Sequence, residues 1–265
     1  MKRLLGFLGR GFLLWLEETG RLWGLLRSSL YWIFIAPLKG KGVKRHYVTS
    51  QMVEIGVNSI GIVFLMSLFM GMVLALQTAY QLKKFGALVY VASLLAIAFV
   101  REIGPLLTAI VVAGRSGSAM AAELGTMKVS EEIQALETMG VNPVRFLVIP
   151  RLVAIMVMLP CVTVLADVVG MFGGGIVGTA FLGIPGSLYF QKSVDFLVMK
   201  DVVTGLLKSG VFAALIALIG CYQGLRVEGG AEGVGRATTK AVVTAIISII
   251  VADCFFTGLF YFIWG

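Results

Sequence analysis

The sequence has 265 residues, of which 58% are hydrophobic and 14% charged, and its formal net charge is +8. A soluble domain carries about 25% charged residues, so this composition excludes an ordinary soluble protein. Several apolar runs approach or exceed the ~20 residues that cross a bilayer, which indicates a polytopic helical membrane protein. The positive charge is therefore interpreted from its distribution among the loops, and nucleic-acid binding is not expected.

The first 37 residues are predicted to lie on the membrane rather than to cross it. Arg10 interrupts the apolar stretch that follows Lys2 and Arg3, and no small-residue cleavage site for a signal peptidase follows. Tryptophans mixed with arginines are typical of a helix at the level of the lipid headgroups. Residues 1–45 are accordingly interpreted as an interfacial elbow helix with a linker, and an additional span is the alternative.

Five spans are predicted, with ends uncertain by about 2–4 residues. They cover residues 52–76, 87–113, 146–182, 202–225 and 241–264. The third is long enough to be tilted, broken or extended beyond the bilayer. It carries Gly170, Gly174 and Gly178, a spacing that lets two helix backbones approach closely. This pattern fits packing within one subunit and an oligomer contact equally well.

The basic residues predict the orientation of the chain. Sixteen of them fall in the N-terminal segment, the central loop and the last loop, whereas only Lys83, Lys84, Lys192 and Lys200 fall on the other side. Because basic loops stay in the cytoplasm, the N-terminus is expected inside and the C-terminus outside.

The central loop reads "AGRSGSAMAAELGTMKVSEEIQALETMGVNP", from Ala113 to Pro143, and resembles a surface helix of a soluble protein. Its two apolar stripes change phase near residues 128–130, which predicts two short helices joined by a bend. Ser130 is suited to cap the second helix and Gly140 to end it. Methionines form an adaptable docking face, so a cytoplasmic protein partner is favoured over a helix that rests on the membrane surface.

Five charged residues lie well inside the predicted spans, away from their ends: Arg101, Glu102, Asp167, Lys208 and Asp253. Each such residue costs roughly 2.5–3.5 kcal/mol at mid-bilayer, so they are expected to face a cavity or one another. We hypothesise that Glu102, Lys208, Asp253 and Arg101 form a network that shifts during transport. The alternative is an ion pair that only holds the spans together.

No catalytic or metal site is expected. The sequence lacks a Walker pattern and an apparent nucleophile–base pair, and its only histidine, His46, and three cysteines do not have zinc-ligand spacing. The glycine-rich segment Glu228–Lys240 precedes a span rather than following a strand, so it is interpreted as a helix-entry loop.

Two long blocks carry a resemblance to a known family. "FVREIGPLLTAIVVAGRSGSAMAAELGTMKVSEEIQALETMGVNP" and "KSGVFAALIALIGCYQGL", followed by "GGAEGVGRATTKAVV", are similar to the Mla-type permeases. These are membrane subunits of ABC lipid transporters that serve outer-membrane lipid asymmetry, with relatives in Mce and plastid lipid-import systems. The similarity extends from about Tyr47 to the C-terminus.

The resemblance implies an exporter-like ABC permease fold, with an elbow helix and five spans, in residues 46–265. It implies a homodimer in the bacterial inner membrane that moves phospholipid to or from a periplasmic MCE-domain protein. ATP and Mg²⁺ would bind only to a separate ATPase, which would dock on a coupling helix at residues 116–140. The residues assigned to this coupling are Glu123, Met127, Glu131, Ile133, Leu136, Glu137 and Met139.

The resemblance also implies a lipid cavity, for which Met70, Leu74 and Tyr80 are candidates. These three fit lipid-facing or packing positions equally well, and Arg236 is either a headgroup ligand or a positive-inside anchor. Two other functions remain open at this point. One is a membrane scaffold that recruits a cytoplasmic partner, and the other is an ion-coupled secondary transporter.

Overall fold

The computed structural model describes residue 20, residues 23–32 and residues 45–264, and these ranges contain helices and turns but no β-strand. The predicted all-α class is therefore confirmed. The helices in chain order are α1 (residues 23–32), α2 (Arg45–Ile55), α3 (Ile60–Lys83), α4 (Val91–Ala98), α5 (Gly104–Val112), α6 (Ser118–Val129), α7 (Glu132–Thr138), α8 (Ile149–Ala180), α9 (Gly186–Asp195), α10 (Met199–Leu225) and α11 (Gly230–Trp264).

Five helical segments of the described chain are long and apolar enough to cross a membrane. They are Arg45–Lys83, Leu88–Val129, Val144–Ala180, Met199–Leu225 and Gly230–Ile263. At about 1.5 Å of rise per residue, ~20 residues cross a hydrocarbon core of ~30 Å, so every segment extends beyond the core. The five predicted spans are confirmed within the described residues, and the protein is a multi-pass membrane protein.

The ends of the first and last spans differ from those predicted. The α-helix is interrupted at Gly56 and by a 3₁₀-turn (Val57–Ser59). α3 then begins at Ile60 and continues to Lys83 instead of ending near residue 76. α11 begins at Gly230 rather than near residue 241. In both cases polar residues continue the helix past the apolar run. Hydropathy marks membrane depth, whereas backbone hydrogen bonding sets where a helix ends.

The second span continues directly into α6. Helix runs from Leu88 to Val129, with π-turns at Phe99–Ile103 and Ala113–Gly117. α6 packs against α10 and α11. Its Met120 and Leu124 are fully buried. The first half of the segment predicted as the coupling helix is therefore part of the core of this chain.

α8 is the central helix of the bundle and packs against α2, α3 and α10. It is a continuous helix of 32 residues despite Pro160, so it is extended rather than broken. A Cβ at Gly170 would overlap the ring of Phe99, and Cβ atoms at Gly174 and Gly178 would each lie 2.7 Å from atoms of Tyr189. These glycines therefore serve packing within the chain. Burial raises the pKa of Tyr189 to about 12, so its hydroxyl stays protonated.

The largest apolar cluster gathers residues of α2, α5, α6, α7, α8, α10 and α11. Leu25 and Leu26 of α1 pack against this cluster, and the guanidinium of Arg145 lies 5.2 Å from the ring of Trp32. The predicted elbow region 1–45 lies mostly outside the described residues, so its boundary with the rest of the chain stays a prediction.

Candidate functional site

Lys208 lies at the centre of a polar cluster inside the helix bundle. Its ammonium donates hydrogen bonds to Glu102 Oε2 at 2.5 Å, Asp253 Oδ1 at 2.9 Å and Thr257 Oγ1 at 2.8 Å. Thr257 Oγ1 also lies 3.1 Å from Glu102 Oε1. We call Glu102, Lys208, Asp253 and Thr257 the Lys208 cluster. An ammonium has three N–H donors, and here each has an acceptor.

Local helix geometry places Glu102 against Lys208. Glu102 lies in the π-turn Phe99–Ile103, and Gly104 and Pro105 follow this turn directly. A proline lacks the N–H that would continue the α-helical hydrogen bonds, and π-turns often occur at functional sites. On α10, a Cβ at Gly205 would overlap the carbonyl oxygen of Val100. This glycine lets the two backbones approach closely, one turn before Lys208.

The Lys208 cluster lies within the membrane-spanning helices α10 and α11. Lys208 is nine residues from the start of α10 and Asp253 eleven residues from the end of α11, which places both about 14–16 Å from those helix ends. The side chain of Lys208 is 1% exposed and that of Asp253 17%, but that of Glu102 is 34% exposed in the single chain. The cluster is therefore open on the side of Glu102.

Arg101 does not belong to this cluster, which corrects the predicted four-residue network. Its guanidinium instead lies 3.6 Å from Asp201 Oδ1. Asp201 is in the first turn of α10, where its other oxygen accepts a hydrogen bond from the backbone N–H of Val198. Neighbouring residues of a helix point in different directions, so Arg101 faces the start of α10 while Glu102 faces Lys208 and α11.

Asp167 also lies apart from the Lys208 cluster. Its side chain is buried on α8, and its Oδ1 atom has no hydrogen-bond partner in the described part of the chain. A Cβ at Gly104 would overlap this oxygen, so the carboxyl group packs directly against the backbone of α5. Nearby, the hydroxyls of Thr108 and Thr163 are 2.8 Å apart and join α5 to α8.

The predicted bend in the central loop is confirmed. α6 ends at Val129, and Glu131 adopts a left-handed conformation (φ 61°) before α7 begins. Ser130 is not the cap of α7, because its hydroxyl bonds back to Thr126 O and forward to the carboxylate of Glu132. Gly140 (φ 75°) ends α7 as predicted, with its N–H on Glu137 O and that of Val141 on Leu136 O.

The apolar stripe of this segment faces the chain's own core, which corrects the predicted docking face. Ile133 is 4% exposed, and Met127 and Leu136 pack partly buried against the same core cluster. Glu123 is turned to α8, where it binds Arg151 at 2.7 Å. Of the residues assigned to coupling, Glu131, Glu137 and Met139 are exposed. α7 uses its apolar face to attach to its own bundle, which leaves its polar face for a partner.

The four residues predicted for a lipid cavity do not form one site. Met70 and Tyr80 are exposed on α3, whereas Leu74 is partly buried against a cluster formed with α4 and α8. Arg236 is exposed near the start of α11 and lies 3.4 Å from Glu232, one turn earlier. The cavity role of these residues stays a prediction.

Two polar residues of these contacts, Thr257 and Asp201, were not predicted from the sequence. Thr257 follows Asp253 by four residues on α11, and residues with this spacing share one face of a helix. That spacing was a usable signal. The signal for Asp201 was weaker. This residue lies in the first turn of a helix, where the helix dipole stabilises a carboxylate.

Comparisons with known proteins agree on one family. The family model described as "Permease MlaE" matches residues 48–259. A "Probable ABC transporter permease protein" of Rickettsia felis is 38% identical over 214 residues, which cover 81% of this chain and 83% of the relative.

Two further relatives have more specific names. The "Intermembrane phospholipid transport system permease protein MlaE" of Haemophilus influenzae is 33% identical over 236 residues, 87% of this chain and 90% of the relative. The chloroplastic "Protein TRIGALACTOSYLDIACYLGLYCEROL 1" of Arabidopsis thaliana is 38% identical over 224 residues, 84% of this chain and 64% of the relative.

Proposed function

Because the chain belongs to the MlaE permease family, and is thus a multi-pass membrane permease, we propose that it moves phospholipid across or out of the bacterial inner membrane. A separate ATPase subunit drives this movement, and a periplasmic MCE-domain protein delivers or receives the lipid. The name of the Haemophilus relative supports phospholipid as the cargo.

The observation that carries this proposal is the partial exposure of the Lys208 cluster. A charged carboxylate facing acyl chains at mid-bilayer costs several kcal/mol, so Glu102 must face water or protein. Its side chain is 34% exposed in the single chain. A polar cavity beside Glu102 satisfies this requirement and gives a lipid headgroup a path through the hydrocarbon core.

A second copy of the chain completes this cavity. α11 lies beside Glu102 and presents a long apolar face, including Ile247, Ile250 and Phe255, that other parts of the chain do not cover. Two such faces in contact would enclose a space with the two Glu102 side chains directed into it. The acyl tails would then contact apolar residues of α3 and α11, while the headgroup passes the Lys208 cluster.

The ATPase docks on the exposed side of α7. This helix and the residues that flank it lie outside the five spans and carry Glu131, Glu132, Glu137 and Met139 at the surface. α7 follows α6, which packs against α10 and α11. A push on α7 therefore reaches the two helices that hold Lys208 and Asp253. Since the 265 residues contain no Walker pattern, ATP and Mg²⁺ belong to the partner.

The N-terminus lies in the cytoplasm and the C-terminus in the periplasm. Sixteen of the 22 basic residues fall on the side of the membrane that carries α7, against four on the other side. This orientation puts α7 within reach of a cytoplasmic ATPase.

The test is purification of the full-length chain together with the ATPase and MCE-domain proteins encoded near it. We expect both to copurify, and phospholipid to stimulate ATP hydrolysis by the assembly. A membrane scaffold would retain a partner without lipid-stimulated hydrolysis. An ion-coupled transporter would move its substrate without an ATPase, under an ion gradient alone.

A further inference from the structure

A cavity lined by both polar and apolar side chains lies near the α7 end of the bundle, away from the Lys208 cluster. It has a volume of about 200 Å³, several times the ~30 Å³ that one water occupies in the liquid. α2 contributes Gln51 and Glu54 to its wall, and the π-turn Ala113–Gly117 with α6 contributes Arg115, Met120 and Glu123.

The cavity lies at the depth of the lipid headgroups. α3 begins at Ile60, directly after Ser59, and its 24 residues extend about 36 Å, enough to cross the hydrocarbon core. Glu54 and Ser59 therefore mark the level at which the span leaves the membrane. Arg115 lies at the same level, since its guanidinium donates to Glu54 O at 3.1 Å and to Ser59 Oγ at 2.9 Å.

Two charges of opposite sign stand unpaired in this cavity. Glu123 is neutralised by Arg151, 2.7 Å away. No carboxylate lies within 4 Å of the Arg115 guanidinium in the described residues, and its Nη1 atom is held by a carbonyl and a hydroxyl. The Glu54 carboxylate accepts only a long hydrogen bond, 3.4 Å, from Gln51. The open charges are thus one guanidinium and one carboxylate.

This arrangement complements a zwitterion. A guanidinium recognises phosphate oxygens through charge-assisted hydrogen bonds, and a carboxylate recognises an ammonium that donates. Quaternary ammonium groups such as choline are bound by aromatic rings, and the described cavity wall contains none. The polar acceptors of Glu54 and Gln51 instead suit an amine with N–H donors.

We propose that this cavity binds the headgroup of a zwitterionic phospholipid with a primary amine, its phosphate at Arg115 and its ammonium at Glu54. The lipid comes from the leaflet on the α7 side. The inference concerns lipid held at the surface of the bundle, so it does not depend on phospholipid being the transported cargo.

The test uses the full-length protein in nanodiscs that contain equal amounts of dioleoyl phosphatidylethanolamine, phosphatidylcholine and phosphatidylglycerol. The lipids retained after release from the nanodisc are counted by native mass spectrometry. We expect phosphatidylethanolamine to be retained in preference to the other two. Glu54→Gln should reduce that preference about fivefold, the effect of losing one partly exposed ion pair.

Glu54→Gln suits this test because the bond from Arg115 goes to the backbone carbonyl of Glu54, which the substitution keeps. The matched control is Glu228→Gln, which removes an exposed carboxylate on the same side of the membrane. Equal retention of the three lipids by the parental protein would overturn the proposal, as would equal effects of the two substitutions. If the parental protein retains phosphatidylethanolamine selectively but its assembly with the ATPase does not move phospholipid, the proposed function is contradicted and this binding site is not.

Discussion

Lys208 and Glu102 lie 106 positions apart in the sequence, yet Nζ of the lysine is 2.5 Å from Oε2 of the glutamate. Asp253 and Thr257 complete the shell around the ammonium, so the charge is fully hydrogen-bonded inside the membrane. Removing one member of a buried ion pair typically costs 3–5 kcal/mol, because the other charge is left uncompensated. The contact therefore holds three helices together, whatever further role it has in transport.

Thr257 offers the mildest perturbation of this cluster. Thr257→Val keeps the shape of the side chain but leaves one Lys208 N–H without an acceptor, which should lower the free energy of unfolding by about 1–3 kcal/mol. Thr257→Ser retains the hydroxyl and should preserve stability. Thermal unfolding of the detergent-purified variants measures both. Equal stability of the valine and serine variants would show that the hydroxyl is not needed.

Gly170 tests the packing of α8 within the chain. Gly170→Ala places a methyl group where the ring of Phe99 lies, and overpacking of this kind costs about 1–3 kcal/mol. Gly210→Ala is the control, since a Cβ there meets no atom within 4 Å and alanine favours the helix. We expect a lower yield and melting temperature only for Gly170→Ala. A normal Gly170→Ala protein with an altered oligomeric state would assign this glycine to an interface between copies.

The exposed side of α7 is expected to bind the ATPase. Met139 is 68% exposed, so Met139→Glu should leave the chain folded while burying a charge at the interface. We expect association with the ATPase to weaken about tenfold or more, which corresponds to ~1.4 kcal/mol. Copurification from membranes measures it, with Glu228→Lys as the control at another exposed position on the same side. Undiminished copurification of Met139→Glu would place the docking surface elsewhere.

We expect Leu136→Glu to give a different result from Met139→Glu. Leu136 packs against the chain's own core, so a glutamate there should destabilise the permease itself.

The sequence could predict that residues around 130–140 form a short amphipathic helix. It could not predict which face attaches to the bundle, because both a partner and the chain's own core select apolar residues.

The positions of the charged residues show a similar limit. The cost of a charge in the membrane led to the prediction that Arg101 joins Glu102, Lys208 and Asp253 in one network. The last three do meet. Arg101 instead contacts Asp201, because the direction of side chains at a π-turn is not visible in the sequence. The five spans were predictable from apolar length. The ends of α3 and α11 were not, because their terminal residues are polar and helical at once.

Single cysteines test the orientation of the chain. Cys161, Cys221 and Cys254 are first replaced by alanine, and a cysteine is then placed at Ser187 or at Ser130, both exposed. A membrane-impermeant maleimide should label position 187 in cells with a permeable outer membrane, and position 130 only after the inner membrane is opened. The reverse pattern would place α7 in the periplasm and remove the proposed ATPase site.

The most direct test of the account is ATP-driven movement of phospholipid by the purified assembly in proteoliposomes, with the parental chain and Glu102→Gln compared at equal protein levels. The parental assembly should transfer phospholipid only when ATP is present. Glu102→Gln removes one charged partner of Lys208 and leaves Asp253 and Thr257 in place, and we expect it to slow transfer about tenfold or more, which corresponds to ~1.4 kcal/mol of barrier. Glu232→Gln, at an exposed surface pair, should transfer lipid at the parental rate. Absence of ATP-dependent transfer by the parental assembly, or an unchanged rate in Glu102→Gln, would contradict the account.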